Sequence, residues 1–255
     1  MKLSSAIAKI EKRGMLLVFP MNNRKEPASL WSEFFPRTEM RWEWDESGDN
    51  RVAELWHLRE RLSVSRKVVY TKWFRGRATV ISFELFTAML ASLGSARDGV
   101  PVGLTFQARE MQDLLDEDSP QSTKTLKRAL GLQGRENERV YNAGLKQLWS
   151  RLSIVGFGEV DEGAFPSLAI GSTRVIFEEL WAESRGLSKK AAQATIDRYL
   201  PTGTAFRKYF DEVARKLERG RGVDEAEADS GEPPSDTSAR QPITRQGFDF
   251  RKNPL

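Results

Sequence analysis

GRENERVYNAGLKQLWSRLSIVGFGEVDEG, residues 134–163, compresses a helical pattern, a hairpin pattern and several cations into one run. From about Arg135 to Leu152, the side chains of Val140, Tyr141, Leu145, Leu148, Trp149 and Leu152 recur at helical spacing on one face, with Arg139, Asn142, Lys146 and Ser150 opposite. SIVGFGEV and AFPSLAIG then flank Asp161, Glu162 and Gly163, which predicts two strands joined by a tight turn.

Two helices are expected upstream of this run. Phe106, Met111, Leu114 and Leu115 mark the first, and Leu126, Ala129 and Leu130 the second, which Gly131 and Gly134 close. Three helices followed by a hairpin is the order of a winged helix-turn-helix, a fold that lays its third helix in the DNA major groove. The expected fold class is therefore mainly α with small β-hairpins, arranged as tandem winged helix-turn-helix modules. The expected domains are a basic, winged-helix-like module over 1–100, a winged helix over 101–171, packing helices over 172–219 and a disordered tail over 220–255.

The rest of the chain is read by the same rules. Leu3, Ile7 and Ile10 lie at helical spacing before Gly14, and MLLVF reads as a buried strand stopped by Pro20. Residues 21–50 read as loops holding short helices. KVVYTKWFRGRATVIS alternates apolar and polar residues around Arg75 and Gly76, predicting a hairpin with a basic outward face. Ser82, Ser172 and Ser188 each stand where a helix N-cap is expected, and Phe206, Phe210, Val213 and Leu217 mark a later helix. Between Asp224 and Asp236 lie six acidic residues and no basic one, a composition that buries too little apolar surface to order itself. Phe248 and Phe250 in the following basic tail are candidates for docking a protein partner.

Composition narrows the chemistry. The 255-residue chain is 39% hydrophobic, enough for a sizeable core, and carries a net charge of +4. That balance permits a polyanionic partner without requiring one. It contains no cysteine and one histidine, His57, which excludes thiolate chemistry, disulfides and a multi-histidine metal cage. The N-terminal apolar run is too short for a signal peptide, and no stretch of about 18 apolar residues occurs, so no membrane association and a cytoplasmic location are expected. GFGEVDEG lacks the spacing and the following helix of a dinucleotide loop, and no metal or nucleotide cofactor is implied.

Two cationic sets are the candidate DNA contacts. On the third helix and its approach they are Arg135, Arg139, Asn142 and Lys146, with Lys124, Lys127 and Arg128 on the second helix placed for phosphates. The alternative is an ordinary solvated helix face, and the acidic turn at Glu159, Asp161 and Glu162 would repel phosphate. In the hairpin they are Lys72, Arg75 and Arg77, with Trp73 and Phe74 assigned to a packed sheet face rather than to base stacking. His57, beside Leu55, Trp56 and Leu58, reads as a packed residue rather than a general base. Glu33, Glu39, Glu43, Asp45 and Glu46 surround the tryptophans without a spacing that singles out a catalytic pair.

MLLVFP, ASLWSEFF, RVAELWHLRERL, KVVYTKWFRGRATVIS and the 104–171 region together resemble the AlkZ-related proteins, allied to winged-helix DNA glycosylases of the AlkZ and YcaQ type. The resemblance covers about residues 3–217. It implies binding of duplex, damaged or branched DNA and, in active members, excision of damaged bases by a Gln-x-Gln or Gln-x-Asp motif after an apolar Leu pair. Here Val18 and Pro20 stand at those places, and neither has a side chain able to hold a water. The reading is a DNA-binding protein without base-excision activity. Its rivals are an active glycosylase using Asn22, His57 or a carboxylate near Trp42 and Trp44, and a protein-interaction module.

Overall fold

A computed structural model describes residues 1–41, 50–94, 96–97, 100–101, 103–160 and 166–229, the last ten of these as backbone only. Helix α1 (Leu3–Arg13) buries Ala6 and Ile10 and stops at Gly14, whose N–H donates to the Ile10 carbonyl. Gly14 is required twice over: its φ is +75°, and a Cβ there would sit 2.5 Å from the Tyr199 ring. The chain turns directly into β1 (Met15–Leu17), passes α2 (Leu30–Phe34), which is opened by a capping box between Ser29 and Ser32, and reaches α3 (Asn50–Val64). Strands β2 (Val68–Thr71) and β3 (Thr79–Ser82) follow, then α4 (Phe83–Leu93), capped by the Ser82 hydroxyl. A short pair, β4 (Ala96–Arg97) and β5 (Val100–Pro101), comes next.

The second half repeats that order of elements. Helix α5 (Phe106–Glu117), capped by Thr105, precedes a short strand, β6 (Gln121–Ser122), then α6 (Thr123–Ala129), a 3-10 turn at Arg135–Asn137 and α7 (Glu138–Ser150). Two strands, β7 (Ile154–Val160) and β8 (Ser167–Ser172), complete it. The chain ends in α8 (Thr173–Ile176), α9 (Glu178–Gly186), α10 (Lys189–Tyr199) and α11 (Ala205–Asp229).

The expected fold class needs correction. The strands are not small hairpins on separate tandem winged-helix modules but one six-stranded antiparallel sheet, in the order β1-β3-β2-β7-β8-β6. In each half the short strand lies outermost against the last strand, and the halves join where β2 meets β7 at the pair Tyr70 and Gly156. Gly156 is what lets them close. A Cβ at that position would lie 2.3 Å from Cδ1 of the fully buried Tyr70.

Helices cover both faces of the first three strands, so the expected solvent-facing side of the hairpin does not exist. Met15, Leu17, Val69 and Ile81 pack into a core with α4, α9, α10 and α11. Their neighbours Leu16, Val68, Tyr70 and Val80 pack on the opposite face with α1, α2 and α3. Alternation along a strand distributes its side chains between two cores here, and Thr71 and Thr79 are buried with them. A third core under α5, α6 and α7 holds Met111, Leu126, Tyr141 and Leu148 against Ile154 and Ile170.

Other expectations shift locally. Val140, assigned to the packed face of its helix, is exposed. Ser172 does not cap the helix after it: its hydroxyl donates to Asp116 on α5, and the expected helix breaks into α8 and α9 at Phe177. Ser188 does cap α10. Helix α11 continues past Gly220 to Asp229, so the tail does not begin at 220, while Phe248 and Phe250 lie outside the described residues. No helix among the described residues is long and apolar enough to cross a membrane.

Candidate functional site

The connection between β2 and β3 carries the first cationic set. Phe74 accepts from the Arg77 N–H at 2.9 Å, closing a turn whose central residues Arg75 and Gly76 have φ of 52° and 72°. Trp73 and Phe74 are buried, as expected, edge-on to aromatic rings of α11: each ring centroid lies 4.9 Å from its nearest partner, Tyr209 and Phe206 respectively. Anchored in this way, the turn presents Arg75 and Arg77 to solvent, with the Arg75 guanidinium over the Phe74 and Tyr209 rings. Lys72 departs from them. It is partly buried, where they are exposed.

The second set lies on α6 and α7. Lys124, Arg128, Arg135, Arg139, Asn142 and Lys146 are exposed. Lys127 is committed within the protein: it pairs with Glu138 and lies 4.8 Å from the Tyr141 ring centroid. Glu138 also accepts from Asn142 at 3.4 Å, and its hydrogen bond from Lys127 holds its carboxyl below the usual carboxylate range. The two sets stand on different cores, the turn on that of α4 and α11, and α6 with α7 on the third.

Between them lies a cluster that the sequence reading missed. On β2, Tyr70 lies on the sheet face that looks toward α3, and Lys72 follows one residue past the strand's end at Thr71. Arg59 of α3, only 7% exposed, meets Tyr70 there. Its guanidinium lies 4.1 Å from the Trp56 ring centroid and 6.0 Å from that of Tyr70. It forms an ion pair with Glu159 of β7. Glu159 reaches it because the β7–β8 register shifts between Gly156 and Glu159, and the Gly158 N–H donates to Ser63 of α3 at 3.0 Å. The pair thus ties α3 in the first half to β7 in the second.

The electrostatics of this seam follow from burial. Burial pushes the Tyr70 hydroxyl upward, against the opposing pull of Arg59, whose charge and hydrogen bond favour the phenolate. Burial, and secondarily the charge of Arg59, hold the Lys72 ammonium below the ordinary lysine range. The Nε of Arg59 is buried without a hydrogen-bond partner. Glu159, expected as part of an acidic turn that repels phosphate, is instead consumed by Arg59; Asp161 and Glu162 lie outside the described residues. One signal in the sequence pointed here. Arg59 occupies an apolar helical stripe, four residues after Leu55 and three before Leu62.

The remaining candidates divide clearly. His57 is exposed, not packed. Val18 is fully buried, and its N–H donates to the Ala78 carbonyl at 2.9 Å. Pro20 rims a cleft of about 300 Å³, shared with Asn23, Arg24, Lys25, Phe35 and Arg37. The Asn23 side chain both donates to and accepts from the Met40 backbone at 3.0 Å, which commits its amide to holding the loop. Glu33 pairs with Arg13 and Lys9, and Glu39 lies on the rim of the cleft. Trp42, Glu43, Trp44, Asp45 and Glu46 lie outside the described residues. Among the described residues no cluster of histidines and carboxylates could hold a metal ion.

A protein-family model described as AlkZ related matches residues 1–209, most of the described structure. No curated protein and no solved structure matches the chain.

Proposed function

Because the chain belongs to the AlkZ-related family, we propose that it binds DNA and does not excise bases. The observation that carries this reading is the fate of Val18 and Pro20, which stand where active relatives of the resembled glycosylases hold polar water-binding side chains. Val18 is sealed in the core beside β3, and Pro20 offers no donor. The neighbouring Asn23 amide is already engaged. DNA contact would fall to the exposed cations, Arg75 and Arg77 on the β2–β3 turn and Lys124, Arg128, Arg135, Arg139 and Lys146 around α6 and α7, with Asn142 among them. Lys127 contributes less, since Glu138 neutralises it.

Affinity for duplex and branched DNA, measured against salt, tests the binding half. Each phosphate contact contributes a slope of about −0.9 in log K against log salt, so Arg75→Ala with Arg77→Ala should flatten the dependence by about 2. A salt-independent signal, or a slope unchanged in that variant, overturns the role of the turn. Incubation with alkylated DNA tests the other half. Abasic sites released in proportion to protein would show an active glycosylase and refute the reading.

A further inference from the structure

None of the cations assigned to DNA lines the cleft beside Pro20, yet that cleft carries cations of its own. Arg24 and Lys25 come from the segment after β1 and Arg37 from the segment after α2. All three are exposed, and among the described residues their side chains form no ion pair and no hydrogen bond. Glu39 is the one acid among the described lining residues, which leaves three positive charges against one negative. Cations gathered in one concavity repel one another and focus a positive field into it, which is the electrostatic form of an anion site. Trp31 and Phe35, whose ring centroids lie 4.9 Å apart, supply an apolar part of the lining. Trp31 is almost fully buried, so Phe35 is the ring with surface to offer. Both walls are already fixed within the protein. The Asn23 amide ties the first segment to the Met40 backbone, the Trp31 Nε1–H donates to the Thr38 carbonyl at 2.7 Å, and the Thr38 N–H donates to the Phe35 carbonyl at 3.1 Å. A cleft held in this way asks little further ordering of the chain when a ligand enters.

We propose that this cleft binds a nucleoside 5'-monophosphate, free or as the phosphorylated 5' end of a DNA strand. A phosphate monoester is the anion that the charge balance fits, since near neutral pH it carries about two negative charges against a surplus of two positive ones, three minus one, in the lining. The guanidinium forks of Arg24 and Arg37 match phosphate oxygens in pairs, and Lys25 adds a point charge. The planar base is what Phe35 can take, because a base stacks on an aromatic ring through the π-face that every base has. At about 300 Å³ the cleft lies at the small end of ligand sites, with room for one nucleotide and none for a duplex. The site does not rest on the DNA reading above, because no residue assigned there lines it.

Isothermal titration calorimetry on the full chain with adenosine 5'-monophosphate (AMP), adenosine and inorganic phosphate tests the assignment. One site per chain is expected, with AMP bound at least about tenfold more tightly than adenosine or phosphate alone, because each lacks one of the two contacts. Arg24→Gln with Arg37→Gln should weaken AMP at least about tenfold through the loss of charge-assisted hydrogen bonds. Both arginines are exposed and unpaired, so that variant should unfold in urea as the parent does. Arg75→Ala with Arg77→Ala should leave AMP affinity unchanged. Competition separates the two sources. Displacement of AMP by a 5'-phosphorylated single strand, but not by the same strand with a 5'-hydroxyl, identifies a strand end; displacement by neither identifies the free nucleotide. Absence of saturable AMP binding, AMP affinity untouched by Arg24→Gln with Arg37→Gln, or phosphate bound as tightly as AMP overturns the proposal. So does equal displacement by both strands, or loss of AMP with Arg75 and Arg77, since either places AMP on the surface assigned to the nucleic-acid backbone.

Discussion

Removing the Glu159 carboxylate should destabilise the protein far more than an ion pair of ordinary exposure would. Both partners of the Arg59–Glu159 pair have side chains only 9% exposed. Glu159→Ala therefore leaves a guanidinium held between Trp56 and Tyr70 with no counter-charge, and its Nε is already without a partner. Breaking a buried pair in this one-sided way costs about 3–5 kcal/mol. At about 2–4 °C per kcal/mol for a chain of this size, the midpoint of thermal unfolding should fall by about 6–20 °C. Replacing both partners, Arg59→Met with Glu159→Met, should recover much of that loss, because the desolvation cost of two charges disappears together. Urea and thermal unfolding of the two single variants and the double variant measure the coupling directly. A loss below about 1 kcal/mol for Glu159→Ala would mean that water solvates the pair, and the seam would then not be the buried joint described above.

Three further outcomes follow from particular contacts. Gly156→Ala places a methyl 2.3 Å from the Tyr70 ring, which has no room to retreat, and should cost about 1–3 kcal/mol in urea unfolding; a neutral result would show that β2 and β7 do not meet there. Phe74→Ala empties a site packed edge-on against Phe206 and Tyr209 and should cost about 3–5 kcal/mol, whereas a base-stacking Phe74 would lose DNA affinity with little change in stability. Lys72→Met should stabilise the protein near neutral pH. The folded pKa of Lys72 lies below its unfolded value, so the unfolded chain binds more protons between the two, and native stability rises with pH across that window. The advantage of methionine is therefore greatest below the window and fades as pH climbs through it. An advantage that is constant with pH, or that grows, would show that Lys72 titrates as an ordinary surface lysine.

What was legible in the sequence was local. Gly14, Ser82 and Ser188 end or begin helices through bonds to residues a few positions away, and such signals survive without knowledge of the fold. Phe206, Phe210, Val213 and Leu217 announce a buried stripe by spacing alone. Ser172 shows the limit of this logic: its hydroxyl donates to Asp116, 56 positions away, instead of accepting from a backbone N–H of the helix it precedes. The hairpin strands misled for a related reason. VVYT and TVIS contain tyrosine and threonine, which read as polar in an alternating pattern, yet both types suit a strand covered on each face once their hydroxyls find partners.

The candidate site was hidden because each of its members has an unremarkable local meaning. Arg59 sits in a charged helix, Glu159 near an acidic turn, and Lys72 among arginines. Only the junction of β2 with β7 brings Arg59 and Glu159 together across 100 positions. Once they are joined, the charges stop being interchangeable: Glu159 is lost as a repulsive surface acid, and Arg59 becomes a buried cation held by it. Gly156 holds the key to that reassignment, since any side chain there would push Tyr70 and its strand away from β7. A glycine that reads as a loose point in a strand is thus the residue that lets the two halves close over a shared cluster of charges.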